Sequence, residues 1–209
     1  MSIRVIAQGL NDLERFMTVV PDVARRAATL AINQTAERKG IQALRAQMEE
    51  EVAFPPRYLA DKRRFGVTKR ATKNDLEAII TGRQRPTSLA RFASGNALIG
   101  ARGGGRLSVR VNPGARKQLP SRAFLIRLRA GEGAVSDDAF NIGLAIRLKD
   151  GERVTGKKVM VPFGGGLYLL YGPSVDQVFR TVSAQQAPHV ADMLTDEFLR
   201  QFNRLIGER

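Results

Sequence analysis

Few residues in this chain have the types and spacing that catalysis requires. Two glycine triplets, Gly103-Gly104-Gly105 and Gly164-Gly165-Gly166, come nearest to a phosphate-cradling loop. A phosphate loop needs the GxxxxGK[ST] spacing between a strand and a helix, so that backbone N–H groups face the anion. Neither triplet has it, and the first is followed by a strand pattern, which argues against nucleotide binding. His189 is the single histidine and there is no cysteine, so the chain offers no His/Cys metal cluster and no thiol nucleophile. Asp137-Asp138 is too little to specify a two-metal nuclease. Glu49-Glu50-Glu51 invites an acid–base or metal reading, but three neighbours on a helix spread over about 200° of its circumference and cannot converge on one ion. The expectation is a protein that is not an enzyme and uses no cofactor or metal.

The basic residues carry more. The net charge is +14. Residues 55–130 hold 18 basic and 3 acidic side chains, whereas residues 1–54 are balanced at 7 and 7, and residues 131–209 at 9 and 10. A segregated excess predicts a surface that meets an anion, most often nucleic acid. Arg63, Arg64, Lys69, Arg70, Lys73, Arg102, Arg106, Arg116 and Lys117 fall in predicted loops and strand ends, where long side chains reach solvent. Phosphate neutralisation of this kind is salt-sensitive and blind to sequence. Only Tyr58, Phe65 and Phe92 are interleaved with these cations, which disfavours a base-stacking platform. No helix-turn-helix or zinc finger is visible. A solvated basic loop region without a dedicated partner is the plainer alternative.

The elements that must position these residues follow from periodicity. Ile3, Val5 and Ala7 mark a weak first strand, and Asn11 or Asp12 would cap a short helix carrying Leu13, Phe16 and Met17. From Asp22 to about Val52 only Gly40 interrupts a long helix, whose alanines (24, 27, 28 and 31) make a narrow side. That side predicts close approach, either on a sheet or against a helix of another subunit. Phe54-Pro55-Pro56 ends the helix. Strands are predicted at Asp75–Thr81, Arg106–Val111, Ala123–Leu128, Phe140–Leu148 and Leu167–Tyr171. The cleanest alternation is Leu107, Val109 and Val111 against Arg106, Ser108 and Arg110; the glycines of Ala93–Gly105 read as a loop. Gly172-Pro173 stops the last strand, and Ser174 caps a helix reaching about Val182. Ser183 then starts a second helix, with Pro188 in its first turns and Val190, Leu194, Phe198 and Phe202 on one face. The fold class is α+β, a mixed or antiparallel sheet of about five strands with a long N-terminal helix and a C-terminal helix packed on it. The chain reads as one domain, 1–209, with a basic loop-rich insertion at about 57–122.

A hydrophobic content of 43% in 209 residues supports a substantial core. No apolar run approaches the roughly 18–20 residues of a membrane span, and the first residues lack a signal-peptide pattern. A soluble, non-secreted protein is expected.

Four pieces in order resemble the minor tail protein Z family of long-tailed bacteriophages. They are the Ala/Arg helix from Ala24-Arg25-Arg26-Ala27 through Asn33-Gln34-Thr35, the Gly82-Arg83-Gln84-Arg85-Pro86-Thr87-Ser88-Leu89-Ala90-Arg91-Phe92 element, Leu167–Phe179 around Tyr171-Gly172-Pro173-Ser174-Val175, and the closing Glu197-Phe198-Leu199-Arg200 helix. The Ala93–Gly105 loop does not match the pattern. The resemblance implies a structural virion protein that completes the head-proximal end of the tail, located there in the particle and in host cytoplasm during assembly. By analogy with other tail-completion rings it implies self-association, as a hexamer, around a passage for the genome. Its partners would be tail-tube and head-connector proteins and, non-specifically, phage DNA, with no membrane. On this reading the nine basic residues would face DNA, the lumen or an acidic neighbour. Tyr168, Tyr171, Gly172, Pro173, Ser174 and Val175 would form a corner for subunit contact. A free, non-specific nucleic-acid-binding protein is the alternative.

Overall fold

The computed structural model describes residues 3–4, 22–94, 107–129, 140–149, 152 and 159–207. The predicted helix around Leu13, the loop at 95–105, and Asp137-Asp138 lie outside them. The fold is α+β with antiparallel sheets, as the periodicity predicts. The chain forms two compact units, one of residues 1–49, 57–84 and 175–209, the other of residues 50–56 and 85–174. The basic stretch 57–122 is therefore divided between them.

One continuous helix, in the first unit except for its last two residues, runs from α1 (Asp22–Gln34) through a π-helical segment (Thr35–Lys39) into α2 (Gly40–Glu51). The π segment explains the glycine that looked like an interruption. The N–H of Gly40 donates to the Thr35 carbonyl, one residue further back than in an α-helix, and a Cβ on Gly40 would lie 2.7 Å from that oxygen. Ala24, Ala27, Ala28 and Ala31 are buried, and α1 packs on α3 (Val175–Gly207) of the same chain. The narrow side thus serves a helix–helix contact within the chain, in place of the sheet or neighbouring subunit expected.

The α3 helix corrects a second expectation. It is a single helix of 33 residues, with Pro188 inside it. The Ser183 hydroxyl donates back to the Arg180 carbonyl (3.1 Å) in place of capping a new helix. Pro188 removes one backbone donor, and the remaining ladder with the apolar contacts of Val178, Phe179, Val182 and Val190 carries the helix through.

A small sheet completes this unit, in the order β1 (Ile3–Arg4), β3 (Ile79–Gly82), β2 (Phe65–Lys69). Phe65 on β2 meets Phe179 on α3 edge-on, with ring centroids 5.0 Å apart. Leu44, Met48, Leu59, Ile80 and Val182 are also fully buried here. The Asn33 amide pins the chain ahead of β3, donating to the Ala71 carbonyl (3.0 Å) and accepting from the Ala71 N–H (2.9 Å).

The second unit holds β4 (Thr87–Ser88), β5 (Ala93–Ser94), β6 (Ser108–Val109), β7 (Lys117–Gln118), β8 (Ala123–Arg129), β9 (Phe140–Arg147), β10 (Met160–Gly164) and β11 (Leu167–Gly172). The main sheet has the order β10-β11-β9-β8, with β4 also paired to β11; β5-β6-β7 is separate. Gly164, Gly165 and Gly166 all have positive φ (105°, 56° and 72°) and form the β10–β11 hairpin turn, the backbone region that favours glycine. Pro162 lies in the edge strand β10, where a missing donor is tolerated. The strand expected over Arg106–Val111 is only Ser108–Val109, and its faces do not alternate, because Leu107, Ser108 and Val109 are all buried. Ser108 tolerates this by sharing a hydrogen bond with the Ser94 hydroxyl (3.1 Å). Phe54 and Phe92 meet in this unit's core at 5.9 Å.

In an ordinary helix interior Gly→Ala stabilises by about 1 kcal/mol. Here Gly40→Ala is expected to destabilise by about 1–3 kcal/mol, because the added methyl meets a backbone oxygen and must force open the π turn. A urea-unfolding midpoint that rises in the variant contradicts the π geometry.

Candidate functional site

The 82–92 and 167–179 stretches each contribute to both units, and within each unit their parts pack on one another. In the second unit, Tyr171 pairs with Ser88 and Gly172 with Thr87, and the Thr87 N–H donates to the Pro173 carbonyl (3.4 Å). A Cβ on Gly172 would stand 3.2 Å from the Phe92 ring and 3.5 Å from Leu89, so glycine lets the short helical turn Leu89–Phe92 close over the strand. In the first unit, a Cβ on Gly82 would lie 2.9 Å from both the Cα and the N of Asp176. The Asp176 N–H donates to the Arg83 carbonyl (3.2 Å), satisfying a donor that the helix start leaves open. The Asp176 carboxylate is buried against Arg180 (2.7 Å) at the positive end of the helix dipole. Of the six corner residues, Ser174 and Val175 are buried, while Tyr168, Tyr171, Gly172 and Pro173 are half-buried. A neighbour would meet only the last four.

The basic candidates separate into three groups. Three are engaged within the chain. Arg64 stacks over the Tyr58 ring (4.1 Å) and reaches Asp61 (3.4 Å). Lys69 lies between Asp75 and Glu77, 2.6 Å from each, and these hydrogen bonds, Asp75 first, raise its pKa above the ordinary lysine value. Arg70 forks onto Glu37 at 2.9 and 3.0 Å. A second group is exposed: Arg63 and Lys73 on the first unit, Arg116 and Lys117 on the second. Arg102 and Arg106 lie outside the described residues. The acidic partners of Lys69 are six and eight residues downstream, yet a charge count over the segment does not show that they converge on one ammonium.

The periodicity missed a polar cluster on α3. Its buried face toward the C-terminus is Val190, Glu197, Gln201 and Leu205, whereas Phe198 and Phe202 are half-buried and stacked at 5.7 Å. Glu197 is tolerated inside because it accepts from Arg200 (Nε, 3.0 Å) and from Gln201 (2.7 Å). The Arg200 bond, more than any other contact, holds this carboxyl below its usual range, with Gln201 and the charge of Lys39 adding to it. Arg204 extends the ladder to Gln201 (3.0 Å). The signal available in sequence was the i, i+3 and i+4 spacing of Glu197, Arg200 and Gln201.

Among the described residues, no three or more His, Asp or Glu side chains are grouped to hold a metal, and no helix is long and apolar enough to cross a membrane. His189 is exposed on α3. Glu49, Glu50 and Glu51 are exposed at the end of α2. The arrangement offers exposed cationic side chains on each unit. No family model, no curated protein and no solved structure matches the chain.

The corner yields a direct test. Gly82→Ala is expected to destabilise the protein by about 1–3 kcal/mol, since its methyl meets backbone on α3 and not the end of a flexible side chain. Thermal unfolding followed by circular dichroism reads this, and an unchanged midpoint contradicts the close approach.

Proposed function

We propose that this chain is a structural subunit that completes the head-proximal end of a bacteriophage tail, as a ring around the passage for DNA. One observation supports the reading above the others. The two most specific stretches of the family resemblance, residues 82–92 and 167–179, interlock through the β4–β11 pairing and the Gly82–Asp176 contact. Within each unit the two stretches are direct neighbours, which supports reading them together. The exposed cations Arg63, Lys73, Arg116 and Lys117 supply sequence-blind attraction to the phosphate backbone or to an acidic neighbour. Image reconstruction of the particle neck tests it. The expected result is density for this chain in a ring between head connector and tail tube; a chain absent from purified particles overturns the proposal.

The same four exposed cations favour a second reading, a free non-specific nucleic-acid-binding protein. It expects the isolated chain to bind duplex DNA with an affinity that falls steeply with salt. Charge reversal at Arg63, Lys73, Arg116 and Lys117 should then reduce the slope of log affinity against log salt by about 0.9 per lost phosphate contact. A slope unchanged by all four reversals removes these residues from any DNA interface.

A further inference from the structure

Each compact unit carries an exposed apolar patch, and the charged fringes of the two patches are opposite in sign. The first lies on α3. Asp192, Asp196, Leu199, Asn203 and Ile206 follow one another at steps of three or four, so they form one stripe along the helix. All five are exposed, Leu199 and Ile206 each at 51%, while Glu197, Gln201 and Leu205 face the interior. The stripe is acidic toward its N-terminal end and apolar toward its C-terminal end.

The second patch lies on the main sheet of the other unit. Val161 pairs with Leu169, which pairs with Ala145, and Val159 accepts from the Tyr171 N–H, so Val159 and Val161 stand on the same face. They are 50% and 39% exposed at the edge strand β10, whereas Leu169 (7%) and Ala145 (0%), on the same face of β11 and β9, are buried, so the open part of this face is its β10 edge. Arg147, paired with Leu167 two residues along from the Leu169–Ala145 row, shares that face and is exposed, with exposed Lys149 two residues further on. Among the described residues of this unit, the acids are Glu50, Glu51 and Glu152, against ten arginines and lysines. The patch is apolar, and its charged fringe is Arg147 and Lys149, with Glu152 accepting from the Lys149 N–H (2.8 Å) while it pairs with Arg122 (2.8 Å).

We propose that these surfaces are the two halves of one contact between successive copies of this chain. The α3 stripe of one copy would lie along the β10 edge of the next, with Leu199 and Ile206 against Val159 and Val161, and Asp192 and Asp196 toward Arg147 and Lys149. The inference rests on the ring reading for its partner, and the charge complementarity of the two patches supports the pairing. A ring larger than a dimer needs two unlike, complementary surfaces on every subunit, because its rotation never brings a patch onto itself. Twofold self-pairing of the α3 stripe is disfavoured: antiparallel stripes would set the aspartates of each copy against the apolar end of the other.

The absence of cysteine makes the test clean. Leu199→Cys and Val161→Cys are placed on separate chains, mixed under mild oxidation and read on a non-reducing gel. Covalent pairs are expected in the mixture at no less than about tenfold the yield from either variant alone, a difference of ~1.4 kcal/mol in contact preference. A chain carrying both substitutions should give a ladder. Asp196→Lys is expected to weaken assembly in light scattering, and Arg147→Glu in the same chain to restore it. Both substitutions fall on exposed residues, and circular dichroism checks that the variants fold. If the wild-type chain assembles but the mixture gives no excess of pairs, or Leu199→Cys alone pairs equally well, this contact is overturned and the ring reading stands. A wild-type chain that stays monomeric at every concentration overturns the contact, and the particle reconstruction then decides the ring separately.

Discussion

The backbone at Gly82 lies so close to the first turn of α3 that a methyl group there would stand 2.9 Å from Asp176. Much of the first unit depends on that approach. Gly82 ends β3 and pairs with Phe65 on β2, so the same glycine sets where β2 stands against the helix. Phe65 then meets Phe179 three residues beyond Asp176, and the two rings are fully buried. The Arg83 carbonyl takes the Asp176 N–H, and Arg180 takes the Asp176 carboxylate. A helix start, a strand end and an aromatic core pair are thereby held by one close contact. Any side chain at position 82 would separate the layers that bury Phe65.

The π segment places a related constraint on the long N-terminal helix. One extra residue in the turn between α1 and α2 shifts the facing of everything beyond it by about 100°. Before the turn, Ala24, Ala27, Ala28 and Ala31 are the buried side and pack on α3; beyond it Ile41, Leu44 and Met48 are buried. A continuous α-helix would not hold both sets at their present facings. The cost of the wider turn is limited because Gly40 has no Cβ to meet the Thr35 carbonyl, and Thr35 is buried at the turn. The thinning of the apolar stripe near Gln34 and Arg38 marked this place in the sequence. A stripe alone does not separate a break, a kink and a π turn.

Elements whose cause is local were legible. The helix from Asp22, β8, β9, β11 and the Gly172-Pro173 corner follow from periodicity and from proline and glycine chemistry. The misread elements are those settled by distant partners. Pro188 reads as a helix start in a local window, yet the helix continues through it because both sides of the break are packed. The i+4 spacing of Val190, Leu194, Phe198 and Phe202 predicts that these face the core, and Glu197 falls off that stripe. The structure buries Glu197, because Arg200 and Gln201 supply the hydrogen bonds that make an interior carboxylate tolerable. The candidate basic surface was legible by residue type but not by availability. Arg70 is occupied by Glu37, 33 residues earlier in the chain, and Lys69 by two acids that its own segment supplies. Net charge counts these cations as free, and geometry does not.

That difference sharpens what the +14 charge can do. A cation held between two carboxylates adds to the long-range field only what its partners leave uncancelled, so Lys69 with Asp75 and Glu77 is locally anionic. On the first unit the basic stretch therefore attracts phosphate less than its composition implies. The second unit has few acids among its described residues and keeps Arg116, Lys117, Arg147 and Lys149 exposed, so fewer of its cations are cancelled nearby. Exposed Val159, Val161 and Phe163 belong to the same unit. A surface that only attracted DNA would need the charge and not the apolar side chains, whereas one that met an acidic-fringed helix would need both. The proximity of Arg147 and Lys149 to those side chains supports, for that edge, the contact between copies proposed above over one with DNA.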